Sequence, residues 1–317
     1  VLVSLFPLGA HLRNLQLAQE NPMPRLLPQI DPGGLLEFSA VHTDRALNHM
    51  PKRFQGVMTS VSAMFKRVYG AHSAALVPGS GTFGMESVAR QFAHGKHVML
   101  IRNGWFKYHW THIFGLGPIP ASHTVLKAWR TTEGPQAPWA PMPIDEVKAA
   151  ITKEKPALVF SPHVKTAAGV ALPDNYLSEV ADAVHAVGGL FVLDCIASGA
   201  MWVEMTATGV VILIFAPQKG WSSSPCCAVA MLSERARSAI DSTQSTTFAM
   251  DLKKGLQIMA TCEGGGQAHL TTLPTDALVR LRDTMNKTEA HSCAGVRNEQ
   301  VALGRQVRAL LERHGFP

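Results

Sequence analysis

In Val211-Ile-Leu-Ile-Phe-Ala-Pro-Gln-Lys-Gly-Trp221, a run of β-branched and large apolar residues delivers one lysine at its end. The run predicts a buried strand. An amine placed straight after a core strand, ahead of a glycine and a Ser-rich turn, is expected to be desolvated. Desolvation disfavours the ammonium and favours the free amine, the form able to make a Schiff base. A lysine that caps the strand and snorkels to water would give the same local sequence. What separates the two readings of Lys219 lies upstream.

Short apolar runs recur at Ala74–Pro78, His97–Arg102, His123–Leu126, Ala157–Ser161, Leu190–Asp194, Val210–Phe215 and Cys226–Leu232. Amphipathic stretches of helical spacing stand between several of them, at Gly84–Phe92, Ile144–Thr152 and Leu177–Val187. This alternation predicts an α/β domain built on a seven-stranded, mostly parallel sheet with helices on both faces. The seventh run follows the sixth after a short turn-rich gap and is expected to pair antiparallel. Ahead of the sheet, Phe54, Val57, Met58, Val61, Met64, Phe65 and Val68 have helical spacing.

Residues 1–35, with Pro22, Pro24, Pro28 and Pro32-Gly-Gly34, read as an extended N-terminal arm, and 36–250 as the large domain. Residues 251–317 are helix-rich and broken by Gly264-Gly-Gly266 and Pro274. They read as an interface segment and the start of a small C-terminal domain. The chain opens on Val1 and stops at Gly315-Phe-Pro317, straight after a helical segment, so a truncated small domain is expected.

With 46% hydrophobic and 16% charged residues, the 317-residue chain can bury a large core. Its net charge of +6 is spread without a Lys/Arg block, which argues against nucleic acid and suits small anionic ligands. No run reaches the roughly 18 apolar residues of a membrane span. Val1–Phe6 is too short, and lacks the basic lead, for a secretory signal. The five cysteines are odd in number and show no CxxC spacing, so they read as reduced, mostly buried thiols. That suits the cytoplasm and leaves peroxisome and mitochondrion open. No histidine combines with cysteines or carboxylates at ligand spacing, so no metal centre is expected.

Sheets of this kind bind ligands at the carboxyl ends of their strands. After the first strand comes Pro78-Gly-Ser-Gly-Thr82, leading into a helix. Its glycines allow close backbone approach, and helix-terminal amides with the Ser80 and Thr82 hydroxyls can hold a phosphate. An ordinary Gly-rich turn has the same appearance. After the second strand, Asn103-Gly-Trp-Phe-Lys-Tyr-His-Trp110 offers aromatic rings for stacking on a planar group or for the core. After the fourth, Pro162-His-Val-Lys-Thr-Ala-Ala-Gly169 is a candidate ligand loop centred on Thr166. The fifth ends in Asp194, a carboxylate that is costly there unless it meets a cation or donor, such as a protonated heterocyclic nitrogen. Together with Lys219, these features converge on pyridoxal 5′-phosphate. That cofactor needs a phosphate cradle, a plane for its ring, an acid for its nitrogen and a lysine for its aldehyde.

Gly79-Ser-Gly81, Asn103-Gly-Trp-Phe106, Asp194 through Ser198 and Gln218-Lys219 together resemble the class V aminotransferases of PLP fold type I, particularly the alanine–glyoxylate/serine–pyruvate branch. The resemblance runs from about Asp31 to Leu311. It implies Lys219 as the Schiff-base lysine and proton shuttle, and Asp194 as partner of the pyridine nitrogen. Phe106 would stack on the ring, with Ile196 on its opposite face. Ser80, Gly81, Thr82 and Gln218 would hold the phosphate, Thr166 would reach the 3′-hydroxyl side, and Thr272 would approach the phosphate across a homodimer interface.

The implied reaction moves an amino group from alanine or serine to glyoxylate or pyruvate. Four departures stand against the family pattern. Phe215-Ala-Pro217 precedes the Gln-Lys pair where Ser is usual, Val211 replaces a common Asp, and His269 replaces a phosphate-binding Tyr. The family's carboxylate-clamping Arg belongs to a C-terminal region beyond this chain. Two alternatives stay open: a class V lyase of the cysteine desulfurase kind, and a truncated chain that binds the cofactor with little or no turnover. Desulfurases tend to carry His before the lysine and over the ring, where Gln218 and Phe106 stand here.

Overall fold

The computed structural model describes residues 52–104, 108–134 and 137–316. The N-terminal arm and Phe106 lie outside them. All seven expected strands are present: β1 (Ser73–Pro78), β2 (His97–Arg102), β3 (Ser122–Lys127), β4 (Leu158–Pro162), β5 (Leu190–Asp194), β6 (Ile212–Phe215) and β7 (Cys227–Leu232). They form one sheet in the order β1-β7-β6-β5-β4-β2-β3. β7 runs antiparallel to both β1 and β6, as its short connection from β6 requires, and the other pairings are parallel.

The central strands are covered on both faces, which is why they read as continuous apolar runs. Successive residues enter opposite cores: Phe191, Leu193, Leu213 and Phe215 on one side, Leu190, Val192, Ile212 and Ile214 on the other. The helices are α1 (Lys52–Tyr69), α2 (Gly81–Phe92), α3 (Tyr108–Leu116), α4 (Ile144–Glu154), α5 (Asp174–Ala186), α6 (Met205–Thr208), α7 (Pro217–Gly220), α8 (Glu234–Ala239), α9 (Leu252–Glu263), α10 (Thr275–His291) and α11 (Cys293–Arg313). The first core takes the apolar stripes of α1, α4, α5 and α10. The second takes those of α2 and α3, and α9 contributes to both. Helix α2 lies unusually close to the sheet. A Cβ added at Gly84 would stand 2.6 Å from Ala228 Cβ, so only glycine lets the helix seat there.

Phe215 and Val211, the two unusual residues of the opening stretch, are core residues. Phe215 meets Phe65 edge-on at 5.2 Å and stacks on Tyr69 at 5.5 Å. The Trp221 indole N–H donates to the Tyr69 hydroxyl oxygen (3.2 Å), and Trp221 stacks on Trp202 at 4.6 Å. Each end of the stretch is thus anchored by aromatic packing. Between the anchors, Gln218-Lys219-Gly220 leave the core on the single helical turn of α7.

As expected, Cys195, Cys226, Cys227 and Cys262 are buried free thiols, with Cys293 half-buried. Among the described residues, no helix is long and apolar enough to cross a membrane.

Candidate functional site

The carboxyl ends of the parallel strands and the start of α2 enclose a cavity of about 190 Å³ lined by Ser80, Gly81, Thr82, Met85, His109, Lys165, Asp194, Ile196 and Gln218. Six residues named from sequence therefore meet in one place: Ser80, Gly81, Thr82, Asp194, Ile196 and Gln218.

The wall at α2 is a helix start. Ser80 is the N-cap, extended and without a side-chain capping bond. The Phe83 and Gly84 amides donate to the Ser80 carbonyl (2.9 and 3.3 Å), which leaves the Gly81 and Thr82 amides ahead of the first intrahelical bonds. The Ser80 and Thr82 hydroxyls lie 3.4 Å apart beside them. Such a turn presents partial positive charge and donors to an anion. Ile196 presses on this turn: a Cβ at Gly81 would fall 2.6 Å from Ile196 Cδ1.

Asp194 closes β5, only 5% exposed. Its Oδ1 accepts from the Ile196 amide at 3.0 Å, and its carbonyl accepts from the His163 amide at 3.0 Å. His163 is itself buried, with Nδ1 2.8 Å from the Ser198 hydroxyl. Burial holds its imidazole down at about 4, against the pull of Asp174 and Asp194 and with Arg297 adding to the depression, so it is neutral at physiological pH. On the far side, the Gln218 Oε1 is buried without a hydrogen-bond partner.

Lys219 is exposed and is not among the lining residues, because the single turn of α7 carries it away from the direction of Gln218. The buried lysine of this cavity is Lys165. That residue is 5% exposed, and burial lowers its pKa although Asp194 pulls the other way. Lys165 was not singled out from sequence, and neither were Met85 and His109. A lysine in an otherwise apolar or small-residue loop, opposite a strand-end Asp, was the available signal.

Thr166, next to Lys165, points outward and is exposed, away from the cavity lining. Thr272 and His269 are exposed as well. No group of three or more His, Cys, Asp or Glu side chains among the described residues is placed to hold a metal ion.

The cavity fits pyridoxal 5′-phosphate in its chemistry. It joins a donor-rich helix start, a carboxamide whose oxygen is unpartnered and a buried carboxylate, and Gly81 cannot be enlarged without moving Ile196.

No family model matches the chain. It is 24% identical to the alanine–glyoxylate aminotransferase of Rattus norvegicus over 247 residues, 76% of this chain and 56% of that protein. The chain thus spans little more than half the length of that curated relative. Among solved structures, it is similar to the ureidoglycine–glyoxylate aminotransferase from Bacillus subtilis, with TM-score 0.66, 19% identity, and coverage of 80% of this chain and 64% of that one. It is equally similar to the alanine–glyoxylate aminotransferase from Nostoc sp., with TM-score 0.66, 18% identity, and coverage of 87% and 68%. The fold is that of these aminotransferases, PLP fold type I, and the resemblance drawn from the strand-end motifs holds at the level of sequence as well.

Proposed function

We propose that this chain is the cofactor-binding part of a pyridoxal 5′-phosphate-dependent aminotransferase. It would move an amino group from a small amino acid, alanine or serine, to a 2-oxo acid, glyoxylate or pyruvate. The observation that carries the reading is the convergence of Ser80, Gly81, Thr82, Asp194, Ile196 and Gln218 on one cavity at the strand ends.

Pyridoxal 5′-phosphate supplies an aldehyde that holds an amino group and a protonated ring that withdraws electrons from the carbon beside it. In this reading the first turn of α2, both its hydroxyls and the Gln218 carboxamide hold the phosphate. Asp194 stabilises the protonated ring nitrogen, a role suited to a buried carboxylate already oriented by the Ile196 amide. Ile196 packs on one ring face and Phe106 on the other. Lys219 provides the amine for the aldehyde and carries the proton at the substrate Cα. Thr166 stands on the 3′-hydroxyl side. The exposed Thr272 reaches the partner's phosphate in a homodimer.

A second reading is a chain that binds the cofactor with little turnover. It is favoured by the exposure of Lys219 and the burial of Lys165 beside Asp194.

Adding pyridoxal 5′-phosphate should produce a visible absorption band that Lys219→Ala abolishes and Lys165→Ala retains. L-Alanine should then bleach that band, and glyoxylate should restore it. A band that survives in Lys219→Ala and disappears in Lys165→Ala would overturn the assignment of Lys219. A band without any response to amino acids would favour binding without turnover, and sulfide released from L-cysteine would favour a lyase.

A further inference from the structure

A second cavity, of about 330 Å³, opens at the carboxyl ends of β2 and β3 and is lined in part by Arg102, Asn103, Tyr108, Lys127, Trp139 and Ala168. None of these belongs to the site described above. Arg102 and Lys127 face each other in register on neighbouring parallel strands. Like charges so placed repel. Neither has an Asp or Glu partner among the described residues.

Next to Arg102 in the lining is Asn103, 1% exposed, with both ends of its carboxamide lacking a hydrogen-bond partner. A buried carboxamide without partners is costly unless a ligand completes it, and the half-buried Arg102 and exposed Lys127 beside it suit an anion. The remaining wall combines two aromatic rings, Tyr108 and Trp139, with glycine and alanines. The Arg102 guanidinium lies 4.2 Å from the Tyr108 ring centroid, and Arg130 lies 5.6 Å from that of Trp139. Tyr108 and Trp139 are 39% and 46% exposed.

We propose that this cavity is a second small-molecule site, for an organic anion with a flat aromatic body. The anionic head sits between Arg102 and Lys127 and accepts from the Asn103 amide nitrogen. The ring lies along Tyr108 and Trp139. Among the described residues no carboxylate lines the cavity, which favours an anion over a cationic ligand of the same shape. The site stands independently of the transamination reading. The two cavities are nevertheless neighbours: a Cβ at Gly104 would stand 3.5 Å from the Cβ of Lys165, which lines the other.

Calorimetric titration of the full chain with phenylacetate, phenyl phosphate, acetate and benzylamine tests the proposal. At least one aromatic anion should bind saturably at one site, with acetate and benzylamine weaker by roughly tenfold or more. The better of the two aromatic anions identifies the head group as carboxylate or phosphate. The double substitution Arg102→Gln with Lys127→Gln should weaken that binding by roughly tenfold or more, while the spectral response to pyridoxal 5′-phosphate is kept. Should the double variant fold poorly, Trp139→Ala at the half-exposed wall should weaken aromatic-anion binding and leave acetate unaffected. Absence of saturable binding by both aromatic anions, equal binding by folded wild type and variants, or equally tight benzylamine would each overturn it.

Discussion

Gly81 and Ile196 meet with no room for a methyl group between them: a Cβ on Gly81 would lie 2.6 Å from Ile196 Cδ1 and 2.9 Å from its Cγ1. This contact joins the start of α2 to the residue that follows Asp194, so it sets the width of the cavity. Gly81→Ala should push Ile196 off its rotamer, at a stability cost of about 1 kcal/mol. The larger effect should be on ligand binding, because both displaced groups line the cavity. Urea denaturation and pyridoxal 5′-phosphate titration measure the two separately. Adding Ile196→Ala should restore most of the lost phosphate binding. Unchanged affinity in Gly81→Ala would mean that the cofactor does not sit against this turn.

The cavity was legible in the sequence because its parts end buried strands, and strand ends in a parallel sheet gather on one edge. Asp194 and Pro78-Gly-Ser-Gly-Thr82 could therefore be placed together without coordinates. Side-chain direction in short segments was not legible. Lys165 and Thr166 are adjacent, and only local geometry decides that the lysine is buried and the threonine exposed. Lys219 follows the strand in sequence, but a single turn of helix rotates it about 100° from Gln218. Phe215 looked anomalous beside the family pattern, but its side chain belongs to the core on the α1 side of the sheet. An apolar run marks a strand and does not say which core each residue enters.

Phe215→Ala should lower the unfolding free energy by about 3–5 kcal/mol, the usual range for emptying a buried phenylalanine site. Phe65 and Tyr69 would lose their shared neighbour, and Tyr69 carries a phenol that burial already holds well above its ordinary pKa. The loss should appear in the denaturation midpoint, while the ligand affinity of the folded fraction stays unchanged because Phe215 does not line the cavity. A cost below about 1 kcal/mol would show that this aromatic cluster is loosely packed.

Stability should rise with pH between about 4 and 6.5. His163 is held at about 4 when folded and returns to the ordinary imidazole value of 6.5 when unfolded. In that window the unfolded chain binds the extra proton, so ∂ΔG/∂pH is positive, and stability present above 6.5 is lost as pH falls towards 4. The full swing is about 3 kcal/mol. His163→Asn keeps a polar partner for Ser198 and should flatten this part of the profile. Chemical denaturation at several pH values measures it, and an equally steep profile in the variant would assign the dependence to other groups.

Gln218→Leu should move stability and ligand affinity in opposite directions. The Gln218 Oε1 is buried without a partner, and an orphaned polar atom of this kind costs about 1–3 kcal/mol. A leucine of similar volume removes the orphan, so the unliganded chain should gain up to about 1 kcal/mol in urea denaturation. The same change removes a carboxamide whose NH₂ can turn towards an anion held by the Gly81 and Thr82 amides. Losing one hydrogen bond to a charged group, worth about 1.5–3 kcal/mol, should weaken pyridoxal 5′-phosphate binding by roughly tenfold or more. A variant that loses both stability and affinity would make Gln218 a structural residue. One that gains stability at unchanged affinity would show that the phosphate is held without it.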